Sequence, residues 1–178
     1  MDDKFLKERL LSLKTQCEST SKPQFLGFLS EEEAAYAKQL LGKNDALVFY
    51  GGYEGAGRIF LGIFPSDIVP NEKAFPIDSV TLTYRKQDVL SHRDFLGAIM
   101  ALGVKREAVG DILIENGRAV IFCSQSVAKL ILSELNKVGR VGVKTQNGFI
   151  GQLPEAADRV NATFTVSSLR LDCIVAGI

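Results

Sequence analysis

The segment Gly51-Gly52-Tyr53-Glu54-Gly55-Ala56-Gly57 has the glycine density of a loop that cradles phosphate. A nucleotide loop of the Rossmann or P-loop kind leads into a helix whose free amides meet the phosphate. Here the residues that follow, Arg58 to Phe64, alternate as a strand, and no Gly-Lys-Ser/Thr is present. The segment therefore reads as a hairpin turn, with Tyr53 and Arg58 as candidates for a surface contact loop. His92-Arg93-Asp94 has the residues of a kinase catalytic loop, but that chemistry needs a metal-binding asparagine five residues after the aspartate, and Ile99 stands there. With one histidine in the chain, no histidine-based metal cluster can form, and no serine or cysteine has a second histidine to choose as its base. The three cysteines, Cys17, Cys123 and Cys173, are scattered without a CxxC pair, which disfavours a disulfide framework and a zinc site. Each reads as a small buried apolar residue. Neither a catalytic residue nor a metal or other cofactor is expected.

What remains is cationic. Lys105-Arg106 follows Gly103-Val104 just past a helical pattern. Cations at a helix C-terminus suit the helix dipole by themselves, yet a basic turn at the end of a small domain is also where a phosphate backbone could be held. The residues alone leave both readings open. Composition does not decide between them: 21 Lys and Arg balance 21 Asp and Glu, so net charge leaves no footprint for a polyanion.

The elements that must position these residues follow from periodicity. Phe5, Leu6, Leu10, Leu13 and Cys17 fall at helical spacing. A capping box, Ser30-Glu31-Glu32-Glu33, opens a second helix that runs to about Leu41, with Gly42 as its stop. From Ala46 the period becomes two, giving strands at Ala46–Tyr50 and Arg58–Phe64 around the glycine loop. Val80, Leu82 and Tyr84 alternate with Thr81, Thr83 and Arg85 as a further strand. Ser91-His92-Arg93-Asp94 is a second capping box, ahead of a helix carrying Phe95, Ile99 and Leu102 that stops at Gly103. Asp111–Glu115 and Arg118–Cys123 flank Asn116-Gly117, a strong hairpin signal because both turn positions need positive φ. Ser126–Val138 reads as a helix with Val127, Leu130, Ile131, Leu135 and Val138 on one face, and Val141 and Val143 as a last strand.

From Ser79 to Thr145 the order is strand, helix, strand, strand, helix, strand, which is the alpha-beta plait, or ferredoxin-like motif. The chain is thus expected to be an α+β protein. It divides into an N-terminal helical and β-hairpin domain over residues 1–78, a βαββαβ plait over residues 79–146, and a tail over residues 147–178. The plait's sheet should be antiparallel, with the two helices packed on one face. Plaits that stack bases carry aromatics on the middle strands, whereas the outward positions of the first strand are Thr81, Thr83 and Arg85. Arg85, Arg140 and Lys144 are expected instead to form a basic stripe that contacts a nucleic-acid backbone without reading sequence.

His-Arg-Asp-Phe-Leu-Gly-Ala-Ile-Met-Ala-Leu-Gly-Val-Lys-Arg-Glu-Ala-Val-Gly-Asp-Ile-Leu, residues 92 to 113, resembles the signature block of the YlmH family of bacterial RNA-binding proteins. Tyr50-Gly51-Gly52-Tyr53-Glu54 is similar to that family's first domain, and Ser168-Leu169-Arg170-Leu171-Asp172 to the start of its S-four RNA-binding domain. The resemblance covers nearly the whole chain. It implies an N-terminal α/β domain, a central RNA-binding plait and a C-terminal S-four domain. That last module needs more residues than the chain has before Ile178, so the S-four domain is expected to be truncated. It further implies partners in the large ribosomal subunit, ribosomal RNA or tRNA, in the rescue of stalled translation complexes. Cell-division or translation proteins are second partners, through the family's link to septum placement.

The expected function is non-catalytic binding of structured RNA. Arg85, Arg93, Lys105, Arg106, Arg118, Arg140, Lys144 and Arg170 are the expected backbone contacts. A protein-interaction module acting on a division or translation factor is the alternative, and a small-phosphoryl enzyme a distant third. No apolar run reaches the ~20 residues that cross a bilayer, and the N-terminus lacks the features of a secretory signal. A cytoplasmic protein with no membrane partner is expected.

Overall fold

The computed structural model describes residues 3–41, 47–50, 58–69, 75–149 and 151. They gather into two compact units that divide between Phe75 and Pro76. The first holds α1 (Asp3–Thr20), β1 (Gln24–Leu29), α2 (Glu31–Leu41), β2 (Leu47–Tyr50) and β3 (Ile59–Ile63). β3 is the middle strand and pairs antiparallel with both β1 and β2. The capping box at Ser30 forms as the sequence predicts: the Ser30 amide donates to Glu33 Oε2 at 2.9 Å and the Glu33 amide to Ser30 Oγ at 3.2 Å. Leu6, Leu10 and Cys17 of α1 are buried, but Phe5, placed on the same face by spacing, is 53% exposed.

β1 was not anticipated, and its geometry shows why. Leu26 has no partner in the ladder, because the register jumps between Phe25 and Gly27, and Gly27 takes φ 115°. Such a bulge breaks the alternation of two by which strands are recognised. Leu26 and Leu29, three apart, both join the core with Leu6, Leu10 and Leu61. Phe25 and Phe28, also three apart, join Phe60, Phe64 and Phe75 in a cluster of rings with centroids 4.9 to 6.0 Å apart. Helical spacing here belongs to a bent strand.

The second unit runs β4 (Ile77–Thr83), α3 (His92–Met100), β5 (Val109–Glu115), β6 (Arg118–Ser124), α4 (Gln125–Glu134), β7 (Lys137–Val138), β8 (Val141–Gly142) and β9 (Lys144–Asn147). The main sheet has the order β5-β6-β4-β9, antiparallel throughout. This is the alpha-beta plait, and the βαββαβ order read from the sequence is its order. Asn116 and Gly117 take φ 34° and 85°, the two positive values a tight hairpin needs. Val80, Leu82, Ala119, Ile121 and Cys123 face the helices and pack against Phe95, Ile99, Val127 and Ile131. Leu102 and Leu130, expected in that core, are half-buried against it.

The last helix and strand differ from expectation. α4 stops at Glu134, with Leu135 already extended at φ −86° and ψ 97°, rather than continuing to Val138. Val138 then pairs with Val141 in a short hairpin of its own, closed by the Val143 amide donating to Asn136 O at 2.9 Å. The edge strand of the main sheet is Lys144–Asn147, not Val141 and Val143. Leu135, Val138 and Val143 are nevertheless all buried in the same core. Their spacing reports burial correctly, but an extended hairpin folded back on the helices satisfies it as well as a helix does.

Candidate nucleic-acid interface

Strand register sets the geography of the cations. Thr83 stands opposite Arg118 on one side and opposite Lys144 on the other. Directly paired residues point to the same face of a sheet, so Glu115, Arg118, Thr83 and Lys144 form one row across it. This row lies beside the Asn116-Gly117 turn. The chain leaves β4 here, with the Tyr84 amide donating to Gly117 O at 2.8 Å, and Lys86 lies against the turn glycine. The loop then enters α3 at the same end, so Arg93 in its first turn belongs there too, and the hairpin bearing Arg140 leads directly into Lys144. Arg85, Lys86, Arg93, Arg118, Arg140 and Lys144 therefore come together at the turn end of the plait.

Three carboxylates of that end are engaged, while a fourth, Glu134 at the end of α4, is exposed. Asp88 Oδ2 accepts from Arg85 Nε at 3.1 Å, and Glu115 Oε2 from Arg118 Nη2 at 2.9 Å. Asp94 accepts from the Ser91 hydroxyl at 2.6 Å and the Ser91 amide at 2.8 Å, and these bonds hold its carboxyl below the usual carboxylate range. Lys86, Arg93, Arg140 and Lys144 are exposed and have no carboxylate partner among the described residues.

Lys105 and Arg106 lie at the other end. α3 runs back from the turn end, so its C-terminus and the 3-10 turn Arg106–Ala108 deliver the chain to Val109, which pairs with Cys123 in the row of Asp78. Five residue steps along β4 separate that row from Thr83, about 17 Å at strand rise. Arg106 is half-buried and spends a guanidinium nitrogen on Val109 O. Lys105 is exposed, and the register assigns Asp78 and the start of β5 with Asp111 to the same end. The cation pair most conspicuous in the sequence is thus remote from the cations of the turn end, at an end that also carries Asp78, Glu107 and Asp111.

The sheet face away from the helices is basic only at its rim. Leu113, Val120 and Phe122 occupy its centre and are 4%, 0% and 8% exposed, with Thr81 at 6%. Thr81 donates to Gly148 O at 2.6 Å. The expected stripe is therefore not a band across the open face. Lys144 lies at its edge, Arg85 beyond the strand end and Arg140 in a hairpin turn.

Of the other candidates, Arg58 is half-buried in the first unit, where Nη2 donates to Phe28 O at 2.7 Å. Tyr53, Arg170, Cys173 and the segment Ser168–Asp172 lie outside the described residues. Cys17 and Cys123 are both buried. Burial raises each thiol, and with Asp78 nearby Cys123 is pushed up to about 12. Neither is a nucleophile at neutral pH. Among the described residues no group of three His, Cys, Asp or Glu could hold a metal ion, and no helix is long and apolar enough to cross a membrane. Lys86 was missed by sequence reasoning because its nearness to Arg118 and Lys144 depends on the register of β4 with two strands distant in sequence.

Residues 70–150 match the family described as "Putative RNA-binding domain in YlmH". The second unit is a YlmH-type domain. The resemblance read in residues 92 to 113 falls within it. Over 180 residues the chain is 29% identical to the "Ribosome-associated protein quality control protein P2" of Bacillus subtilis, spanning 99% of this chain and 70% of that protein. The fold is also that of the "Cell division protein ylmH from Streptococcus pneumoniae", with a TM-score of 0.66 and 19% identity, over 83% of this chain and 91% of that one. In this YlmH-type domain Lys86, Arg93, Arg140 and Lys144 lie at the turn end of the plait, and Lys105 and Arg106 at the other.

Proposed function

We propose that the chain is a non-catalytic RNA-binding protein that associates with the ribosome and holds structured RNA of the large subunit by its phosphate backbone. The observation that carries this reading is the convergence of Lys86, Arg93, Arg140 and Lys144, exposed and without carboxylate partners among the described residues, at one end of a YlmH-type domain. Each cation that meets a phosphate releases condensed counterions, which supplies affinity without base recognition. Arg85 and Arg118 flank this group and exchange their carboxylates for phosphates on binding. The relation to a ribosome-associated quality-control protein supports action on stalled translation complexes.

The test is co-sedimentation with purified ribosomal subunits. The wild-type chain is expected to pellet with the large subunit in a salt-sensitive manner, and the K86E/R93E/K144E variant to remain in the supernatant. Undiminished binding of ribosomal RNA by that variant, with loss of a cell-division or translation protein instead, would make the domain a protein-interaction module.

A further inference from the structure

We infer that the ligand of the turn end is helical RNA, recognised through its phosphates and ribose hydroxyls, rather than a single strand with splayed bases. This deepens the reading above and rests on it.

Single-stranded RNA is bound on stacking platforms, where aromatic side chains meet unpaired bases. The sheet of the second unit has no such platform among the described residues. The unit's described Tyr and Phe rings are Tyr84, Phe95, Phe122 and Phe149, and none is exposed; the exposed ring is the imidazole of His92 at the start of α3. Tyr84 lies against Phe95 with ring centroids 5.7 Å apart, and Phe95 is in the helix-side core. Phe122, on the face where a plait stacks bases, is 8% exposed beside a fully buried Val120. A base has no exposed ring to meet on the described sheet, and at its end only the imidazole of His92.

The turn end offers a different set of groups. Thr83, Gln87 and Asn116 are exposed between the cations, one from β4, one from the loop after it and one from the hairpin turn. A hydroxyl and two carboxamides both donate and accept. A-form RNA presents 2′-hydroxyls, which also donate and accept, across a wide and shallow minor groove bordered by phosphates. Arg118 and Lys144 stand two strand spacings apart, about 10 Å, with the Thr83 hydroxyl between them. Cations spaced around neutral hydrogen-bonding groups match phosphates spaced around ribose hydroxyls. The loop that carries Gln87 is held in place by the Asp88 amide donating to Arg85 O at 2.9 Å and by the Arg85–Asp88 ion pair.

The test uses the full chain and three labelled oligonucleotides of one 16-residue sequence, namely an RNA duplex, the DNA duplex and the single RNA strand, titrated by fluorescence anisotropy at one salt concentration. The RNA duplex is expected to bind at least about fivefold tighter than the single strand and about threefold tighter than the DNA duplex. The T83V/Q87A variant keeps every charge. It should lose most of the preference for RNA duplex over DNA duplex while its affinity keeps the same salt dependence. Equal or tighter binding of the single strand would overturn the inference and leave the RNA reading standing. Equal binding of the two duplexes, or an unchanged preference in T83V/Q87A, would overturn it as well. Binding to none of the three would remove the RNA reading itself.

Discussion

The two ends of the plait in the second unit are built from the same strands and collect different charged residues. At the turn end, cations from the loop after β4, from α3, β6 and β9 and from the β7–β8 turn are collected, and Asp88, Glu115 and Asp94 are already committed to Arg85, Arg118 and the Ser91 cap. At the other end, Lys105-Arg106 is adjacent in sequence, but Arg106 is anchored to Val109 O, and the same end carries Asp78, Glu107 and Asp111. The difference teaches that local charge density along a chain is a weak guide to a polyanion surface. What matters is which cations the register collects and which anions are left to compete for them.

The comparison is broken most directly by charge reversal at each end. K86E/R93E/K144E should weaken binding of a structured RNA on the order of a hundredfold at about 0.1 M salt and flatten the salt dependence by about two to three counterions. K105E should change affinity by less than about twofold. Anisotropy titrations across a salt series check both, and a larger loss from K105E would reverse the assignment of the ends.

Next come the glycines of the two ends. Gly117 has φ 85°, and a Cβ there would meet Tyr84 O at 2.8 Å, so G117A adds backbone strain to a collision with main chain. The expected cost is about 3 kcal/mol or more in urea denaturation. Gly103 has φ 81° with nothing within 4 Å of its Cβ position, and G103A should cost only about 1–2 kcal/mol. Equal costs would mean that the turn end gives way more easily than its geometry shows.

The Ser91–Asp94 cap sharpens the comparison through pH. The Asp94 carboxyl is held below its ordinary value, first by the Ser91 hydroxyl and then by the Ser91 amide. Its contribution to holding the first turn of α3, and Arg93 with it, is therefore fully present above the unfolded value near pH ~3.9 and lost as pH falls through the lower folded value. In S91A the Asp94 carboxyl should titrate closer to its ordinary value, and amide exchange in the first turn of α3 should quicken. A carboxyl NMR titration that does not move between wild type and S91A would remove this role for the cap. The smallest effect is expected from D88N, which releases Arg85 from an exposed ion pair and should tighten RNA binding by about twofold. Weaker binding by D88N would show that the pair positions the loop more than it competes for Arg85.

Much of this architecture was legible because local signals agreed with the global fold. Asn116-Gly117, the capping boxes at Ser30 and Ser91, and the alternation through Val80 and Leu82 each have a short-range cause, and each forms. β1 escaped because its bulge gives Phe25, Leu26, Phe28 and Leu29 a spacing of three, which pattern reading assigns to no strand. The hairpin at Val138 escaped because its apolar residues keep the spacing of the helix before them. The cationic surface was legible in residue type but not in membership. Arg85, Arg93, Arg118, Arg140 and Lys144 were singled out together with Lys105 and Arg106, and only the pairing of Thr83 with Arg118 and Lys144 separates the two groups.

The register jumps have a further consequence, for solubility. β1 and β5 are each an outer strand of their sheet, and each contains an irregularity, between Phe25 and Gly27 and between Val109 and Ile112. An outer strand with a straight row of unpaired amides and carbonyls is a template on which another chain can add itself. A bulge twists that row and spoils its spacing. The remaining edge of the plait, β9, is only Lys144–Asn147, polar and paired over three residues. Straightening β1 by deleting Leu26 would offer an apolar ribbon for intermolecular pairing, and the protein would be expected to precipitate before it lost its fold.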